Sequence, residues 1–146
     1  MSPRQAERMV VVTMRLLAIT FAVVGILFIT TPGGVAGRMA DVGDWFGDFA
    51  QPPGTGLQLW LALGFAYMTV ITGLAWVVST DVARYRAMLL VLAAGKAASS
   101  LATGAYFFFD DDVFIYLLNF LVDGSLVLIA LWCWALAGRV EPRTPG

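Results

Sequence analysis

Histidine is absent from the 146 residues, and cysteine occurs once, as Cys133. Those two gaps remove His-ligated haem, Cys/His zinc sites, CxxC redox chemistry and every catalytic scheme built on imidazole. Charge is scarce as well: Asp, Glu, Lys and Arg make up 13% of the chain, and nine basic residues against ten acidic ones leave a net charge of -1. With no concentrated basic surface there is no basis for a nucleic-acid partner. The chain has no low-complexity tract, no internal repeat and no separate soluble domain. Nothing in it pairs a nucleophile with a positioned base, so a non-enzymatic protein without a cofactor is expected, with a membrane enzyme as the minor alternative.

What fills the chain instead is apolar. Hydrophobic residues make up 60% of it, and the mean hydropathy of +0.82 lies outside the range of ordinary soluble domains. Crossing ~30 Å of hydrocarbon takes roughly 20 helical residues, and four stretches qualify: 9–31, 57–79, 87–109 and 113–137. None alternates with a period of two, and a closed barrel needs more segments, so these spans are expected to be helices that satisfy their own backbone in lipid. The expected fold is all-α, a single polytopic four-transmembrane-helix bundle over residues 1–146. Ser79, Thr80 and Asp81 are candidate N-caps for the third span, and Asp110, Asp111 and Asp112 stand where a helix dipole favours negative charge at the start of the fourth.

Arginine sets the expected orientation. If four spans alternate, Arg4, Arg8, Arg15, Arg84, Arg86, Arg139 and Arg143 fall on one side and Arg38 alone on the other, which makes both termini cytoplasmic. Arg15, inside the first span, is expected to reach back to the inner headgroups. The outer side receives Asp41, Asp44, Asp48 and Asp110 to Asp112. Between the first two spans, Val42, Trp45, Phe46 and Phe49 recur at helical spacing, which predicts a short amphipathic helix in the first outer loop. The basic leader, the apolar run 16–29 and the small residues Gly34 and Ala36 also fit a cleaved signal peptide, and that alternative stays open. Cys133, between Trp132 and Trp134, reads as inert packing, and the tryptophans as an interfacial belt.

The third span is built of small residues: from Ala93 to Ala105, all but Lys96 and Leu101 are Ala, Gly, Ser or Thr. Such a helix admits close neighbours, and it is expected at the bundle centre, received by Ala62 and Ala66 of the second span. Lys96 stands near mid-depth, where an unpaired charge costs at least ~2.5–3.5 kcal/mol. Asp123 is the one acid at similar depth. Folding the chain back about residue 111 brings Asp123 level with Ser99, within reach of a lysine stem. Ser99, Ser100 and Thr103 share the Lys96 face, and Asn119 shares that of Asp123. Tyr67, Thr69 and Thr72 of the second span are further candidate hydroxyls from a third direction, although Tyr67 and Thr69 cannot share one narrow face. Two readings remain open: a buried ion pair that fixes helix register, or a ligand or proton site.

The Arg15-Leu16-Leu17 run followed by Gly25 and Pro32, and the polar segment before an Ala/Gly-rich third helix with Arg84 and Arg86 at its start, resemble the DoxX-like group of small bacterial four-helix membrane proteins. The likeness covers most of the chain at the level of hydropathy. That group includes accessory subunits of membrane oxidoreductases as well as proteins of undefined role. The likeness therefore implies a protein of the bacterial inner (plasma) membrane, with an accessory role among those open to it, and brings no catalytic motif; Lys96 and the Asp110 to Asp112 run are not part of it. The expected function is therefore a non-enzymatic accessory or ligand-binding subunit whose buried site comprises Lys96, Asp123, Ser99, Ser100, Thr103, Asn119 and Tyr67. Its partners would be the lipid bilayer, a larger membrane protein or further copies of itself, and a lipid or quinone-like ligand. The alternative is an oligomeric proton-coupled transporter or channel subunit.

Overall fold

Ser2 opens the first helix with a reciprocal cap: its hydroxyl accepts from the Gln5 N–H at 3.3 Å, and its own N–H donates to Gln5 Oε1 at 2.9 Å. Pro3 occupies the first helical position, where its missing N–H costs nothing. The helix α1, Pro3–Thr30, thus begins six residues before the expected span, carrying its basic leader as helix. Three more follow: α2, Leu57–Thr80; α3, Arg86–Phe109; and α4, Phe114–Ala137. The computed structural model describes residues 2–30, 41–42, 45–47, 57–110 and 112–140, and no strand occurs among them. All four helices are long and apolar enough to cross a membrane. The predicted loop helix lies largely outside the described residues, although 41–42 are helical and Phe46 stacks on Phe114 at the head of α4, with centroids 5.6 Å apart.

The helices pack in a closed ring, each against its two neighbours: α1 with α2, α2 with α3, α3 with α4, and α4 with α1. The hairpins α1–α2 and α3–α4 share the largest interfaces. Contacts from Arg86 to Trp134, Lys96 to Asp123, Ser100 to Phe120 and Tyr106 to Tyr116 run in opposite chain directions, so α3 and α4 are antiparallel. Ala6, Val10, Met14, Ala18 and Phe21 make the buried stripe of α1, and Ile71, Ala75 and Val78 that of α2. Large apolar residues cover the outside, among them Ile19, Val70, Leu101 and Leu128. A surface of that kind suits lipid and is foreign to a water-soluble monomer.

Three expectations need correction. The helix α3 is one member of the ring and not its centre, since Val91 and Leu101 face outward, and Ala62 and Ala66 are exposed. In lipid, a small residue is as acceptable on the outside as at an interface, because no hydrophobic force sorts the two. Ser79, Thr80 and Asp81 do not cap α3. The two hydroxyls donate back to the carbonyls of Trp76 and Val77, and Asp81 accepts from the Arg84 N–H within the turn that precedes the helix; α3 starts after Tyr85 with no side-chain cap. Nor do aspartates cap α4, whose N-cap is Val113. Asp110 instead ends α3, its N–H bonded to the Tyr106 carbonyl, and Asp111 lies outside the described residues.

Candidate functional site

The small residues of α3 let α4 come close. A Cβ built on Gly104 would lie 2.7 Å from the Phe120 ring, and one on Gly124 would lie 3.2 Å from Ser100 Oγ. This closeness sets the level at which Lys96 meets Asp123. The Lys96 Nζ donates to Asp123 Oδ1 at 2.8 Å, with the two side chains 1% and 5% exposed. The predicted offset of about one turn is taken up by the lysine stem.

Lys96 is also where all four helices converge. Its Nζ stands 5.0 Å from the ring centroid of Phe21 on α1 and 5.2 Å from that of Tyr67 on α2. The ammonium thus has a carboxylate on one side and the negative faces of two aromatic rings on others, which offsets part of the cost of removing it from water. Phe21 was not foreseen. It sits in the apolar stripe of α1, where nothing in an all-apolar neighbourhood distinguishes a ring facing a cation from one facing aliphatic side chains.

Tyr67 joins the site as a ring, and its hydroxyl is left over. The Oη is buried and has no hydrogen-bond partner among the described residues, and it lies beside Gly95, where a Cβ would be 3.3 Å away. Thr72 Oγ1 is likewise buried and unpartnered among the described residues. Thr69 turns outward and donates to the Phe65 carbonyl of its own helix.

The remaining predicted residues form a second group beside the ion pair. Asn119 Nδ2 donates to Ser99 Oγ at 3.1 Å and to Thr103 Oγ1 at 3.2 Å. The Thr103 hydroxyl donates to the Ser99 carbonyl at 2.9 Å, and Ser100 donates across the interface to the Phe120 carbonyl at 2.8 Å. The two facing stripes expected from helical spacing do meet, and among the described residues no hydrogen bond links this group to Lys96 or Asp123. Among the described residues, no three Cys, Asp or Glu side chains converge as metal ligands would.

Chemically, the site offers a desolvated ion pair whose donor and acceptor are in contact, and one buried phenolic O–H with no acceptor among the described residues. No protein-family model matches the chain, and neither a curated protein nor a solved structure matches it.

Proposed function

We propose that the protein is a small integral protein of the bacterial inner membrane, with both termini cytoplasmic and a short amphipathic helix in the first outer loop. It acts without catalysis, as an accessory or ligand-binding subunit. The observation that carries this reading is the Tyr67 hydroxyl, buried and without a partner among the described residues, on the ring that faces Lys96. A buried donor without an acceptor costs about 1–3 kcal/mol, and a ligand oxygen would remove that cost. The ligand is an apolar molecule with a carbonyl or hydroxyl head, lipid-like or quinone-like, held among Tyr67, Lys96 and Phe21. The likeness to the DoxX-like group supports an accessory role toward a larger membrane protein.

Native mass spectrometry of the protein gently extracted from its own membrane tests this. A retained apolar ligand or a heterocomplex is expected in the wild type, with the ligand lost from Tyr67→Phe. A bare homo-oligomer, unchanged by Tyr67→Phe, rejects it. That result favours the second reading, a proton-coupled transporter, whose support is the direct contact that lets Lys96 and Asp123 exchange a proton. It requires pH-dependent flux in liposomes, abolished by Asp123→Asn.

A further inference from the structure

The helix α1 keeps its core and its charge on opposite sides. Ala6, Val10, Met14 and Ala18 face the bundle, while Arg4, Arg8, Val12, Arg15 and Ile19 are all exposed. Arg8 and Arg15 are seven residues apart; two helical turns bring them to within ~20° of one line and separate them by about 10 Å along the axis. Glu7 lies off that line, on the half-buried flank.

Depth makes this pair unusual. Phe21 marks the level of Lys96, near the middle of α3, and Arg15 is six residues below it, about 9 Å. The half-thickness of the hydrocarbon is ~15 Å, so the Arg15 backbone lies within the apolar slab with its side chain on the lipid side. Arg8, roughly 20 Å from that level by the same rise, stands at headgroup height. Among the described residues neither guanidinium has a hydrogen-bond or ion-pair partner. Arg86, at the same end of the bundle, is already engaged: its Nε donates to the Trp134 carbonyl at 3.1 Å, and its guanidinium lies 4.3 Å from that ring.

We propose that Arg8 and Arg15 form a binding site for the headgroup phosphate of an anionic phospholipid, with an acyl chain laid along Leu16, Ile19 and Val23. Arg15 extends toward the headgroups and Arg8, about two turns nearer the N-terminus, closes on the same phosphate from the headgroup side. The planar guanidinium suits this work, since it presents paired N–H donors to phosphate oxygens and sheds water more readily than an ammonium. Charge complementarity selects the lipid: a zwitterionic headgroup brings its own cation toward Arg8, and an anionic one does not. This site lies on the outer face of α1, independent of the interior one at Lys96.

The test uses the full chain in nanodiscs of phosphatidylglycerol and phosphatidylcholine, with native mass spectrometry reading the ratio of the two lipids retained. Enrichment of phosphatidylglycerol over the bulk ratio is expected. Each neutralised arginine, Arg8→Gln or Arg15→Gln, should lower that enrichment several-fold, and the two together should bring it to the bulk ratio. Arg15→Lys, which keeps the charge and loses the paired donors, should keep only part of it, and Arg139→Gln, which removes one exposed charge at the same end, should leave it unchanged. Retention at the bulk ratio overturns the proposal, and so does an equal loss in Arg139→Gln, which would mark a diffuse surface attraction. If Arg15→Gln fails to fold, Arg8→Gln alone decides, because its side chain lies outside the hydrocarbon; a wild-type ratio there rejects the site.

Discussion

The two hairpins of the bundle solve the same packing problem by different chemistry. Between α3 and α4 the contact is polar at four levels: Arg86 to Trp134, Lys96 to Asp123, Ser100 to Phe120, and Asn119 to Ser99 and Thr103. Between α1 and α2 it is apolar. Gly25 admits the Met68 side chain, where a Cβ would lie 3.1 Å away, and the threonines Thr20 and Thr69 donate to carbonyls of their own helices. The hydrophobic effect does not drive helices together in lipid, so packing sets how close they come and polar bonds set their register. The α3–α4 hairpin has both; α1–α2 relies on shape. A bilayer protein that keeps its costly polar groups at one interface and one convergence point restricts them to where they do something specific.

The largest break in this contrast should come from Asp123→Asn, which leaves Lys96 buried and unpaired. It should destabilise the bundle by about 3–5 kcal/mol, read from SDS unfolding followed by circular dichroism. Combining it with Lys96→Met should recover most of that loss, and strictly additive losses would show that the pair is not coupled. Next in size is close approach. Gly104→Ala must displace the Phe120 ring and should cost about 1–3 kcal/mol, whereas Gly73→Ala, where nothing lies within 4 Å of the new carbon, should be neutral or gain up to ~1 kcal/mol from helix propensity. If the two alanines behave alike, close packing at Gly104 is not what holds α3 to α4.

How much of this was readable follows from the same contrast. Lys96 and Asp123 stood out because each is an isolated charge at similar depth in an apolar run, and a short connection forced their helices antiparallel. Helical spacing put Asn119 on the Asp123 face and Ser99 and Thr103 on the Lys96 face, and the bonds that join them follow from how the two helices meet. The apolar partners had no such signature. Phe21 is one aromatic ring in an apolar helix, and its role depends on which way α1 faces, which spacing does not determine. Ala62 and Ala66 misled for a related reason, since the feature that fits a helix interface fits lipid equally well. The Ser79 to Asp81 caps failed because Ser and Thr in an apolar helix bond back to their own carbonyls, and that competing local bond left α3 to begin after Tyr85.

A smaller effect belongs to the second polar network. Asn119→Ala removes two hydrogen bonds of 3.1 and 3.2 Å, yet interhelical bonds in membranes average ~0.6 kcal/mol, with a maximum near 1.7. A loss of about 1 kcal/mol in the same unfolding assay is expected. A loss as large as that of Asp123→Asn would mean that the two networks act as one unit, and the hairpin contrast would then rest on a single cluster.

The smallest change in stability should come from Tyr67→Phe, and it separates the interior site from its surroundings most sharply. The substitution keeps the ring that faces Lys96 at 5.2 Å and removes an oxygen that has no partner among the described residues. Deleting a satisfied hydroxyl from a core is destabilising, whereas deleting an unsatisfied one relieves a desolvation cost. Without ligand, the variant should therefore unfold at the same SDS fraction as the wild type or a slightly higher one. With the native ligand bound, the order should reverse, because the wild type alone gains the stabilisation that binding supplies. A hydroxyl kept for a ligand lowers the stability of the empty protein and raises that of the filled one, and a hydroxyl of purely structural value cannot produce that crossing.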